Sequence, residues 1–128
     1  MKSGMKIIAS VMLCLMLSSC ANSPSKIVKI AVMGNPENFY PGYQDGIKRA
    51  VEDLNAEYAE TGYTVESVFY DDNDNYDDGA IIVDSISKDD STIAVLASMN
   101  MEINQNAAYA FEKSKKVFVV PFALYDSV

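Results

Sequence analysis

The sequence predicts an α/β fold, an open parallel Rossmann-like sheet with helices on both faces. Short β-branched runs alternate with amphipathic helical stretches, each joined to the next by a polar loop. The strands are also rich in Val, Ile and Ala rather than alternating with polar residues, as expected where helices cover both sheet faces. At 128 residues the chain holds one small domain at most.

The elements follow in order. Ile27 to Met33 (IVKIAVM), bounded by Ser25 and Gly34, reads as the first strand. Ile47, Ala50, Val51, Leu54 and Tyr58 share one face of the first helix, with Lys48, Arg49, Glu52, Asp53 and Glu57 on the other; Pro41 lies near its start and Thr61-Gly62 ends it. Val65 to Tyr70 is the second strand. A polar loop from Asp71 to Asp78 leads to a second helix carrying Ile82, Val83 and Ile86, and Ile93 to Leu96 is the third strand. Asn104, Ala107, Ala108 and Phe111 mark one face of a third helix, whose Lys113 to Lys116 end suits the negative pole of its dipole. Val117 to Val120 is the fourth strand. Parallel strands joined by right-handed crossovers bind ligands beyond their carboxyl ends, where strand order reverses. This selects the loops Gly34 to Tyr43, Ala97 to Glu102 and Phe122 to Val128.

The amino terminus has another character. Lys2 and Lys6 precede an apolar run from Ile7 to Leu17, with no acidic residue before Asn22, which is a secretory signal pattern. The run of about eleven residues is too short for a hydrocarbon core that needs about twenty. Leu17-Ser18-Ser19-Cys20 resembles a bacterial lipobox, which implies a signal peptide over residues 1–19, cleavage before Cys20 and a diacylglyceryl thioether on that cysteine. Residues 20–26 then form a lipidated tether, and 27–128 the folded part. Several acyl chains hold a protein stably where one is marginal, so the domain is expected on the outer face of a bacterial membrane. The alternative is an ordinary export signal, or an uncut anchor, in which Cys20 is incidental.

Composition removes several functions. No His is present and both Cys lie in the first twenty residues, so histidine-dependent catalysis and a disulfide framework are excluded. A net charge of −8 argues against nucleic acid, and Lys113, Lys115 and Lys116 read as a solvated helix end. The acidic loop fails as an EF-hand, because the required Gly and Glu fall on Asp77 and Val83, or on Tyr76 and Ile82 in the other register. It reads instead as a turn ahead of a helix start. Asp71 and Asp72 are neighbours whose side chains diverge, which does not suit paired acid/base work. A response-regulator phosphoacceptor would need acids after the first strand, where Gly34-Asn35 stands, and neither phosphate-loop spacing is present. No metal, cofactor or catalytic constellation is expected.

The candidate binding residues therefore lie in the three strand-end loops. Phe39, Tyr40 and Tyr43 in the first, and Phe122, Ala123 and Tyr125 in the third, offer rings and small gaps to an apolar or planar solute. Ser98, Met99, Asn100 and Met101 in the second lie at a helix start whose backbone amides suit a carboxylate.

Taken together, Ile30-Ala31-Val32-Met33-Gly34, the helix Gly46 to Asn55, the acid-ended strand Val68-Phe69-Tyr70-Asp71-Asp72, Ile93-Ala94-Val95-Leu96 and Val117-Phe118-Val119-Val120-Pro121 resemble type I periplasmic binding proteins, in particular the leucine/isoleucine/valine-binding branch. The resemblance runs from Lys26 to about Asp126. It implies the N-terminal lobe of a solute receptor that delivers a small molecule, an amino acid above all, to an ABC permease. The branch's hydroxyl-rich segment after the third strand corresponds to Met99-Asn100-Met101-Glu102-Ile103, and its Ala/Thr-type segment after the fourth to Phe122-Ala123-Leu124-Tyr125. These departures leave a larger or more apolar ligand, a peptide or a sugar open. The resemblance also implies a second lobe, so the chain is expected to be a partial lobe or a half-receptor. The alternative function is a surface lipoprotein serving as a sensory or protein-interaction module.

Overall fold

In a computed structural model describing residues 25–39 and 41–121, four β-branched runs pair as one parallel sheet in the order β2-β1-β3-β4. The elements run β1 (Lys26–Met33), α1 (Tyr43–Glu57), β2 (Tyr63–Tyr70), α2 (Tyr76–Lys88), β3 (Thr92–Leu96), α3 (Met101–Lys113) and β4 (Val117–Val119). Short 3-10 turns occupy Pro36–Asn38 and Ala59–Thr61. β1 begins at Lys26, one residue inside the expected tether; the signal, Cys20 and most of the tether lie outside the described residues.

Strands β1, β2 and β3 each begin one or two residues earlier than expected, and three further boundaries also differ. Tyr76, Asp77 and Asp78 form the first turn of α2 rather than the end of a loop, because the Asn75 side chain accepts from the Asp77 and Asp78 N–H groups. The acids still favour the helix dipole, but from inside the helix. α1 closes into a 3-10 turn, and Gly62 at φ 76° supplies the left-handed residue that turns the chain into β2. Val120, expected in the fourth strand, lies just past β4.

β1→β2 steps one way across the sheet and β2→β3→β4 the other. With right-handed crossovers, α1 therefore lies on one face and α2 with α3 on the other. The α2/α3 face holds the core: Ala31, Met33 and Val95 from the sheet pack with Val83, Ile86, Ile103, Ala107 and Phe111 from the helices. Phe118 of β4 tilts against Phe111 at a ring separation of 5.2 Å. The other face is only half covered. α1 packs on β2, no residue of it is fully buried, and Ala50 and Tyr58 of its expected apolar face are exposed. Val117 and Val119, which alternate with Phe118 and so point to the α1 side, are 62% and 43% exposed. The expected cover on both faces is thus not met at β4 among the described residues.

Side chains tie the layers together. Asn55 of α1 grips β2 with both ends of its amide: Nδ2 donates to the Val65 carbonyl at 2.8 Å and Oδ1 accepts from the Val65 N–H at 2.7 Å. At the amino ends of the strands, Asp89 accepts from Lys29 Nζ, the Ser91 hydroxyl and N–H, and the Thr92 hydroxyl. Lys116 Nζ donates to the carbonyls of Asp89 and Thr92. Hydrogen bonds from Ser91 and Lys29 hold the Asp89 carboxyl far below the usual carboxylate range. Beside this cluster the β1/β3 register slips at Lys29/Ile30, so that Ile93 becomes the extra residue of a bulge and is left 50% exposed.

Candidate functional site

Reversal of strand order around β1 and β3 opens a crevice at their carboxyl ends, and the loops after these two strands meet there. Gly34 is buried at φ 134°, outside the range comfortable for a side chain. A methyl group added to it would lie 2.7 Å from Phe39 Cε1 and 3.7 Å from the Met99 nitrogen. Phe39 therefore folds back over Gly34, and Met99 approaches from the opposite loop. Phe39 also meets Tyr43 edge-on at 5.0 Å, and burial pushes the Tyr43 phenol pKa up. A cleft of about 240 Å³ opens beside Phe39, lined by Pro36, Pro41, Gly42, Gln44 and Asp45.

The second loop is held from below. Ser98 is 3% exposed; its hydroxyl donates to Asp72 Oδ2 at 2.5 Å and accepts from the Asn100 N–H at 3.0 Å. Asn100 caps α3 by accepting from the Glu102 and Ile103 N–H groups, and its Nδ2 donates to Asp74. Asn104, 1% exposed, donates to the Ser98 carbonyl at 2.8 Å, and its Oδ1 has no partner among the described residues. With these side chains engaged inside the protein, the groups left for a ligand are the Met99 and Met101 N–H groups, which donate to nothing among the described residues, and the half-buried Met99 side chain. Such amides, at the start of α3, suit an anionic group.

Phe39, Ser98, Met99, Asn100 and Met101 thus converge at the crevice, although the Ser98 hydroxyl turns inward and the Asn100 amide is taken up by the α3 cap and Asp74. Tyr40, Phe122, Ala123, Tyr125 and Cys20 lie outside the described residues. Two participants went unnoticed in the sequence. Asp72 reads there as one more solvated acid of a turn, yet it is 1% exposed, while its neighbour Asp71 is exposed and accepts locally from the Asn73 N–H. Gly34 bounds the first strand and opens the first selected loop in the sequence; its role as a contact point needs the β1/β3 pairing to be known. Among the described residues no three acidic or Cys side chains are placed to hold a metal ion. A larger groove of about 420 Å³ runs between α2 and α3, lined by Val83, Asn106, Tyr109 and Lys113 among others, but it lies on the helices' outer surface, away from the strand ends.

Against solved structures, the chain superposes on an ABC transporter substrate-binding protein from Desulfitobacterium hafniense, with TM-score 0.65 and 21% identity over 72% of this chain and 27% of that one. A second structure, described as an ABC transporter substrate-binding protein from the same organism in complex with Leu, gives TM-score 0.65 and 21% identity over 72% and 28%. This is the fold of part of a substrate-binding protein. The chain spans little more than a quarter of the length of these relatives. No protein-family model matches the sequence, and no curated protein matches it. General α/β rules put a ligand in the crevice between β1 and β3.

Proposed function

We propose that this chain is part of an exported solute-binding protein, held to the outer face of a bacterial membrane through a lipid on Cys20, which captures a small solute for an ABC permease. The solute is an amino acid, with an apolar side chain of the leucine class. The observation that carries the reading is the crevice at the strand-order reversal, where the Met99 amide, which donates to nothing among the described residues, approaches Gly34 beside the Phe39 ring. An amino acid has the matching chemistry. Its carboxylate suits the amides, and an aliphatic side chain suits Phe39 and Met99. Support also comes from the relative described in complex with Leu. The role is binding and release, without bond chemistry.

Calorimetric titration of the protein purified from its native membrane, against the twenty amino acids, tests the solute. Saturable binding of leucine or an apolar relative is expected. Binding of none of the twenty, with a sugar or peptide bound instead, would overturn the amino-acid assignment. Mass analysis of the N-terminal peptide tests the anchor: a diacylglyceryl group on Cys20 is expected, and an unmodified Cys20 would remove it.

A further inference from the structure

Asp72 is the one acidic residue among those described that is buried to 1% exposure without a cationic partner among the described residues. Burying a carboxylate is costly unless hydrogen bonds replace its water. Here Ser98 Oγ and the Asp74 N–H provide two, at 2.5 and 3.0 Å. Two further contacts hold the same loop: the Asp72 carbonyl accepts from the Asn75 N–H at 2.8 Å, and the Asp74 carboxylate accepts from Asn100 Nδ2 at 3.2 Å. Because β1 lies between β2 and β3, the link from Asp72 to Ser98 crosses the carboxyl end of β1, beneath the crevice.

The direction of these bonds matters. A carboxylate accepts, so the single hydroxyl hydrogen of Ser98 is committed to Asp72 and the oxygen's lone pair faces the Asn100 N–H. The Ser98 hydroxyl thereby holds the Met99–Asn100 peptide, and Asn104 Nδ2, donating to the Ser98 carbonyl, holds the Ser98–Met99 peptide that carries the Met99 N–H. That N–H, which donates to nothing among the described residues, lies beside Gly34, while the Ser98 hydroxyl is engaged with Asp72 and the Asn100 amide with Asp74.

We infer that Asp72 is the positioning residue of the crevice: by anchoring the Ser98 hydroxyl it holds the turn that presents the Met99 backbone amide to a bound solute, without touching the solute itself. This rests on the solute-binding reading above. Asp72→Asn is nearly isosteric but offers one oxygen to two donors, and Ser98→Ala removes one hydroxyl from the relay.

The test titrates L-leucine into wild type, D72N, S98A and the double variant by calorimetry, and follows hydrogen exchange at the Met99 and Asn100 amides. Each single variant is expected to lower affinity by about tenfold, the worth of one hydrogen bond of about 1.4 kcal/mol. The double variant should lose no more than the worse single, because the two groups act as one unit. Folded variants that bind L-leucine as wild type does, or losses that simply add, would overturn the inference. Should D72N fail to fold, S98A carries the test. If wild type binds no L-leucine, the amino-acid reading falls and the exchange arm decides on positioning: S98A should speed exchange at the Asn100 amide by about tenfold, and unchanged exchange there refutes it.

Discussion

Gly79→Ala is expected to destabilise the protein even though it places a better helix former in the middle of a helix. A methyl group on Gly79 would lie 2.6, 2.8 and 2.9 Å from Cδ1, Cγ1 and Cγ2 of Ile103, where nonbonded carbons prefer about 3.5–4.0 Å. Ile103 is 1% exposed and has nowhere to swing. Two of the three clashing atoms are bonded directly to its Cβ, so a new rotamer moves the clash without removing it. The α2/α3 pair must therefore spread, at about 1–3 kcal/mol for an overpacked core, against about 0.8–1.0 kcal/mol gained in helix propensity. A net loss of about 1 kcal/mol lowers the melting temperature by about 4–8 °C in a domain of this size. Gly46 in α1 is the control, since nothing lies within 4 Å of an added methyl there; G46A should stabilise by about 0.4–1 kcal/mol. Thermal and urea unfolding followed by circular dichroism measures both. Ile103→Val, which trims the nearest atom, should cost less in the G79A background than its usual 0.5–1.5 kcal/mol or so. If G79A stabilises as G46A does, the packing argument fails.

Other tests address the rest of the molecule. Asp89, whose folded-state pKa is depressed, contributes stability above the unfolded carboxylate pKa of about 3.9, and this is lost as pH falls toward the folded value. D89N should accordingly be less stable than wild type by about 1–2 kcal/mol at pH 7, with the difference in urea midpoint shrinking by about pH 3; a difference constant with pH would contradict this. Asn55→Ala removes both contacts to Val65, so the Val65 amide should exchange markedly faster and the protein lose about 1–2 kcal/mol. An unchanged exchange rate at Val65 would show that the clamp is incidental.

Four strands and three helices were legible because runs such as IVKIAVM and the spacing of Ile82, Val83 and Ile86 respond to burial in a simple periodic way. The register was not. The Ile93 bulge lies where Lys29 pairs with Thr92 and meets Asp89, sixty residues away in sequence. Helix periodicity also could not say how much sheet lies under a helix: α1 carries an apolar stripe but packs mainly on β2, and its Ala50 stays exposed. For the site, topology selects the loops after the first and third strands, and the described residues of both loops do meet. Local sequence does not reveal which polar groups in them serve the fold. Ser98 and Asn100 have the composition of a binding segment, but their partners, Asp72 and Asp74, are 26 residues away. Asp72 could be recognised as buried only after the sheet had carried it beneath that loop.

The Asn55 clamp bears on how the sheet meets other chains. Edge strands invite pairing because their outward N–H and C=O groups are unsatisfied. At β2 the outward pair of Val65 is already occupied by a side-chain amide from α1, which acts as a one-residue surrogate strand. An incoming strand would have to dislodge Asn55 and forgo two hydrogen bonds before gaining its own. β4 has no such clamp among the described residues and exposes Val117 and Val119 beside its free edge. Lateral growth of this sheet, whether by further polypeptide or by misassembly, is therefore directional: it is resisted on the β2 side and permitted on the β4 side.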